Sequence, residues 1–191
     1  TSARSQLAAL DTQAESIKKT LCTFTGWGSD GNPVIGAVPS SDVAAIAAID
    51  VDADKETAVN NNYSLISMRG AKGGGMDQIE QIISKNTTQT KNKVRNVAYS
   101  EDLVRSNIQT LYDTILEKKV EYDSAATAWQ AAQNTWQAAQ IQYGTGSLSQ
   151  IAYMQHELAY LQARAGFRSA DLNLQQAMQN YTWAVKGLDV S

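Results

Sequence analysis

Two apolar stripes of similar length, separated by Gly144-Thr-Gly-Ser147, constrain this chain more than any other feature. The first runs through Val104, Ile108, Leu111, Ile115, Tyr122, Ala126, Trp129, Ala132, Trp136, Ala139 and Tyr143 in steps of three and four, with one gap at Lys118 and Lys119. Such spacing places the apolar positions on one helical face. Beyond the glycines, Ile151, Met154, Leu158, Leu161 and Ala165 resume the rhythm, and after a phase shift it continues through Phe167, Ala170, Leu174, Ala177, Tyr181, Ala184 and Leu188. So short a link between two long helices leaves the second no course but back along the first. The expectation is an all-α chain built on a long antiparallel coiled-coil hairpin, each arm of about 43 residues and roughly 65 Å.

Upstream, Leu7, Leu10, Ala14, Ile17, Leu21 and Phe24 form a heptad stripe that ends before Gly26, which predicts an amphipathic helix with a glycine stop. Both prolines, Pro33 and Pro39, fall in the Gly- and Ser-rich segment that follows, with a turn expected at Asp30 to Pro33. A short apolar piece, Val43 to Ile49, comes next. Asp50-Val-Asp-Ala-Asp superficially resembles a calcium loop, but Lys55 stands where an EF-hand needs glycine and Asn61 where it needs glutamate. Helix capping explains the acids better, with Asp52 or Asp54 as N-cap. That helix is expected to pass through Ala58, Tyr63, Leu65 and Ile66 until Gly70-Ala-Lys-Gly-Gly-Gly75 breaks it, to resume from Met76 to about Ser84, and to meet a polar stretch at Lys85–Lys93. The predicted organisation is a single elongated helical domain over 1–191: helix 1–25, connector 26–52, interrupted helix 53–95, long helix 96–143, tip turn 144–147 and long helix 148–189, with no β-barrel strands.

Composition excludes several functions. The net charge is −3 with Lys and Arg scattered, so nothing favours nucleic acid or an anionic membrane surface. No run approaches the roughly 18 apolar residues of a membrane-spanning helix, and residue 1 opens no signal peptide, so the chain reads as a soluble mature form or fragment. Cys22 is alone and reads as a small apolar residue near a helix end. His156, the only histidine, is flanked by Gln155 and Glu157, and no nucleophile-base set, metal-ligand cluster or pair of buried acids can be assembled around it. Catalysis, cofactor and metal are therefore not expected.

The hairpin end is unusual in another respect. Residues 124–156 contain no Asp, Glu, Lys or Arg. Exposed faces of solitary coiled coils normally carry charge, so a neutral Gln/Ala surface predicts packing against further helices or a partner.

Gln142-Tyr143-Gly144-Thr145-Gly146-Ser147-Leu148-Ser149 lies between alanine-rich heptads and Tyr153, Leu158 and Leu161, and the chain closes on Tyr181-Thr-Trp-Ala184-Val-Lys-Gly187. Leu21-Cys-Thr-Phe-Thr-Gly26 and Ala58-Val-Asn-Asn-Asn-Tyr63 precede them in order. Together they resemble the C-terminal repeat of the TolC-type outer-membrane efflux family. That resemblance implies a trimeric, passive conduit of a tripartite export pump in the envelope of a diderm bacterium, between periplasm and outer membrane. It also implies that a hairpin tip of Tyr143, Gly144, Gly146, Ser147 and Leu148 docks a periplasmic adaptor protein. Residues 71–100 lack the alternation of a membrane strand, so this chain would hold only the helical portion. The alternative is a structural coiled-coil spacer or interaction module of an envelope or secreted protein.

Overall fold

A computed structural model of the chain describes residues 2–27, 36, 39–70 and 88–188. Those residues form six helices and no strand: α1 (Ser2–Thr25), α2 (Val43–Ile46), α3 (Val51–Asn61), α4 (Tyr63–Gly70), α5 (Thr88–Gly144) and α6 (Gln150–Val185). The chain divides into two compact units, Thr1–Pro39 and Ser40–Ser191. The first contains α1, which ends at Gly26 with φ 71°, as the glycine stop predicts. The second contains everything else.

The long antiparallel pair is α5 against α6. With 57 residues, α5 extends about 86 Å at 1.5 Å per residue. It begins at Thr88, so much of the polar stretch at Lys85–Lys93, together with 94–95, belongs to the long helix rather than to an interrupted predecessor. Gly70 ends α4, while residues 71–75 of the expected glycine break and the short helix expected from Met76 lie outside the described residues, as does the Asp30–Pro33 turn.

Local caps divide the upstream helices differently from the sequence reading. Asp50, not Asp52 or Asp54, caps α3: its carboxylate accepts from the Ala53 amide at 3.1 Å, while Asp52 and Asp54 fall in the first turn. There they face the positive end of the helix dipole. One residue then separates α3 from α4. Asn62 is extended (φ −66°, ψ 114°), its amide closes α3 on the Ala58 carbonyl, and its side chain accepts from the Leu65 amide to open α4. An asparagine side chain offers the backbone a cap in place of a further helical turn, and here it does so where apolar spacing alone suggests continuity.

At the base of the hairpin, α2 and α3 lie on α5 and α6. Ile46, Ala58, Ile108, Ile115, Leu174, Ala177, Tyr181 and Ala184 form one buried cluster. Two polar pins hold it in register. The Tyr181 hydroxyl donates to Asp54 Oδ2 at 2.7 Å, and burial together with that carboxylate pushes the phenol pKa well above its ordinary value. Asp171, only 2% exposed, accepts from the Ser41 amide at 2.9 Å and the Ser41 hydroxyl at 2.6 Å. Burial alone would raise its pKa, but these bonds, with those of Gln175 and the charge of Arg168, outweigh it and hold the carboxyl below its usual range. On the surface, Arg105 pairs with Glu56 on α3 and Arg69 of α4 with Glu101 on α5.

The chain leaves α6 through Gly187 at φ 87°, with the Leu188 amide on the Trp183 carbonyl and the Gly187 amide on the Ala184 carbonyl. This is the glycine-terminated helix stop of the Schellman type. A Cβ at position 187 would collide with the Asn61 backbone carbonyl. Gly187→Ala is therefore expected to destabilise the chain by about 2 kcal/mol or more, read from urea unfolding, because strain and collision add.

A second expectation concerns acid. A carboxyl whose folded pKa is depressed adds stability above its unfolded pKa of about 3.9 and loses it as pH falls through the folded value. The stability gap between the natural chain and Asp171→Asn should be present at neutral pH and narrow once the pH drops below about 4. A gap that stays constant across thermal melts at both ends of that range would remove the charged state of Asp171 from the account.

Candidate functional site at the hairpin tip

The tip is built by caps at both ends of a five-residue turn. Gly146 adopts φ 75°, the Ser147 amide reaches back to the Gln142 carbonyl at 2.9 Å and the Gly146 amide to the Tyr143 carbonyl at 3.0 Å, which ends α5 in a Schellman stop. The hydroxyls of Thr145 and Ser147 also donate to the Gln142 carbonyl, at 3.0 and 2.9 Å. Ser149 then opens α6, its hydroxyl accepting from the Ala152 amide at 3.2 Å. Gln142, Thr145, Ser147 and Ser149 thus account for the polar residues of the turn.

Of the five tip residues expected from the resemblance, Tyr143, Gly144, Gly146 and Ser147 are exposed and Leu148 is half-buried. They are brought together, but in different capacities. Gly146 needs its left-handed conformation; Gly144 does not, because it ends α5 with ordinary φ and a Cβ there would meet nothing within 4 Å. Tyr143 stacks on Tyr153, ring centroids 4.4 Å apart.

That stack is the first rung of an aromatic ladder. Trp136 lies 4.7 Å from Tyr153 and 6.3 Å from Tyr160, and Trp129 stacks on Phe167 at 4.9 Å with 12° between planes, while Tyr122 reaches the same ring at 5.2 Å. Trp129 and Trp136 are therefore seam residues, as their heptad spacing predicts. The indole N–H of Trp129 is buried with no acceptor within reach.

The partner face on α6 is not the one expected. The seam runs Tyr153, His156, Tyr160, Ala163, Phe167, Ala170, Leu174, Ala177, Tyr181 and Ala184, an unbroken 3-4 alternation of half-buried and buried residues. Ile151, Met154, Leu158 and Leu161, assigned to the seam from sequence, are 72%, 58%, 56% and 48% exposed. The reason is continuity. Leu174, Ala177, Tyr181 and Ala184 fix which side of α6 meets α5 at the base, and in a coiled-coil pair an unbroken heptad track stays on that side to the other end without a phase shift. The missed signal is the track from Tyr153 to Ala184, which lacks strong aliphatics near the tip but never breaks step.

Consequently α6 carries two apolar faces. At about 3.5 residues per turn, their centres lie roughly 155° apart around the helix, nearly opposite one another. One is spent in the hairpin, and the other faces solvent.

Among the described residues no other region gathers as many exposed polar and aromatic groups at one turn. A crevice of about 330 Å³ at the hairpin base is lined by Ile49, Ile115, Met178 and Tyr181, and its one carboxylate, Asp54, already holds the Tyr181 hydroxyl. Among the described residues no three His, Cys, Asp or Glu side chains converge as a metal site, and no helix is long and apolar enough to cross a membrane. His156 sits half-buried in the seam rather than on the surface. Comparison of the chain with protein-family models, curated proteins and solved structures found no match.

The two tip glycines should respond to substitution with opposite sign. Gly146→Ala is expected to cost about 1 kcal/mol through its left-handed backbone, whereas Gly144→Ala should leave stability unchanged or raise it by about 0.5 kcal/mol. Equal destabilisation in chemical denaturation would mean the turn is not held as described.

Proposed function

We propose that this chain is the periplasmic helical portion of an outer-membrane efflux conduit of the TolC type, a passive component of a tripartite export pump in a diderm envelope. In this reading its tip, Tyr143, Gly144, Gly146, Ser147 and Leu148, docks a periplasmic adaptor, and the hairpin joins further hairpins around a lumen, as a trimer in the family it resembles. The chain conducts and does not catalyse, so no residue has a catalytic role and no cofactor is required.

The observation that carries this reading is the pair of nearly opposed apolar faces on α6. A helix in a closed wall has a neighbour on each side, the two directions differing from a straight line by only a small angle. A helix in a free-standing spacer needs one seam. The absence of charge over residues 124–156 supports the same choice, because another helix can close on this part without desolvating ions. The spacer reading leaves Ile151, Met154, Leu158 and Leu161 without a role.

The test is a graft. Residues 122–167 replace the corresponding part of one hairpin in a TolC-type protein that forms trimers and exports a dye. The chimera should still trimerise and retain a measurable share of dye export; a chimera that inserts and folds but cannot close into trimers would sink the conduit reading and leave the spacer.

A further inference from the structure

The free face of α6 has a pattern of its own. Ile151, Met154, Leu158, Leu161 and Ala165 step by three and four along it, with Arg168 and Leu172 continuing the line, and all are exposed. Gln155 and Gln162 flank the stripe on one side, Glu157 and Arg164 on the other, each pair one heptad apart. Glu157 and Arg164 are exposed and have no ion-pair partner among the described residues. They cannot satisfy each other, because seven residues of helix separate them by about 10 Å.

We propose that this face pairs with the same face of a second copy of the chain, the two α6 helices running antiparallel about a twofold axis. In the register that sets Leu158 against Leu161 of the second copy, Met154 meets Ala165 and Ile151 lies along the aliphatic stem of Arg168. The four leucines form the central layers, with smaller or tapering contacts outward. The same register places Glu157 opposite Arg164 of the second copy, and symmetry supplies this ion pair twice, once on each side of the axis. On the other flank Gln155 comes level with Gln162, amide against amide. In antiparallel coiled coils such flanking pairs select register and orientation.

Charge distinguishes this occupant from the next candidate. If the face were covered by α5 of another copy near its tip, Glu157 and Arg164 would meet residues 124–143, which contain no ionisable acid or base other than Tyr143. Of these two helices, only another α6 offers each its opposite charge at the right level. A face of this length falls at the low end of stable interfaces, so the dimer should dissociate in the micromolar range. The pairing does not rest on the conduit reading: the graft can fail while the dimer stands, and the reverse. Were both true, they would compete for one surface, and the dimer would be the form that keeps that surface covered until a neighbouring hairpin replaces it.

The experiment is sedimentation equilibrium on the full chain from roughly low to several hundred micromolar. The natural chain should fit a monomer–dimer equilibrium. Arg164→Glu and Glu157→Arg should each weaken it by about tenfold or more, because each sets two like-charged pairs across the axis. The double variant Glu157→Arg/Arg164→Glu should restore it to within a few-fold. Circular dichroism checks that every variant keeps its helicity, as expected for exposed positions. A natural chain that remains monomeric at the highest concentration overturns the proposal, as does a dimer that is indifferent to the single reversals or is not rescued by the double one.

Discussion

The register of the hairpin depends on one backbone conformation, the left-handed Gly146. It lets α5 stop on the Gln142 and Tyr143 carbonyls and lets α6 start within three residues at Ser149, with no slack in which the arms could slide. Register follows at once. Each step of seven along α5 is answered by a step of seven back along α6: Tyr143 meets Tyr153, Trp136 meets Tyr160 and Trp129 meets Phe167. A turn one residue longer would set each large ring against the wrong neighbour. Further along, Tyr112 meets Tyr181, and the base cluster closes around Leu174 and Ile115.

The two halves of the hairpin solve different packing problems. At the base, α2 and α3 add a second layer, so small and aliphatic residues such as Ala177, Ala184 and Ile108 become buried and the core also holds polar pins. Such pins need bonding partners within the core itself, and Ser41 and Asp54 supply them. Toward the tip, among the described residues of Ser40–Ser191, only α5 and α6 remain. Two helices alone enclose small residues such as Ala139 but not large ones, so the seam there uses rings, which cover more surface and pair stacked or tilted even when half exposed. The change from Leu174 and Ile115 to Trp129, Trp136 and Tyr153 along one seam marks where the additional layer ends.

How much of this was legible in the sequence varied with the range of the interaction that decides each feature. The hairpin, its turn at Gly146 and the seam positions Trp129 and Trp136 follow from periodicity and a glycine signal, both local. The sequence reading places the cap at Asp52 or Asp54 and misses the break at Asn62, because a run of Asp or Asn offers several capping side chains and the backbone chooses one according to where the helix must end to pack. The face of α6 was misjudged for a different reason. Hydrophobicity ranks Ile151, Met154, Leu158 and Leu161 above Tyr153, His156, Tyr160 and Ala163, yet the choice between the two tracks is made 11 to 30 residues away, at Leu174, Ala177 and Tyr181. What identified the seam was phase, carried along a rigid helix, and composition near the tip gave the opposite answer.

That reversal alters what the uncharged segment means. Had the aliphatic track been the seam, a neighbour would have met the neutral Gln/Ala surface, which spares it the desolvation of ions but offers few large apolar side chains. With the aliphatic track outside, the most apolar part of α6 is what a second helix would meet. Glu157 and Arg164 stand beside that track, and Arg168 lies on it only beyond Ala165, at the end toward the base. A surface of this kind favours a helix over a flat partner, because its apolar width is one heptad stripe and its charges lie at heptad intervals. Selectivity among helices then rests on the charges, since leucine and methionine accept almost any apolar stripe. The aliphatic face supplies the tendency to assemble, and Glu157 with Arg164 decides which helix assembles there.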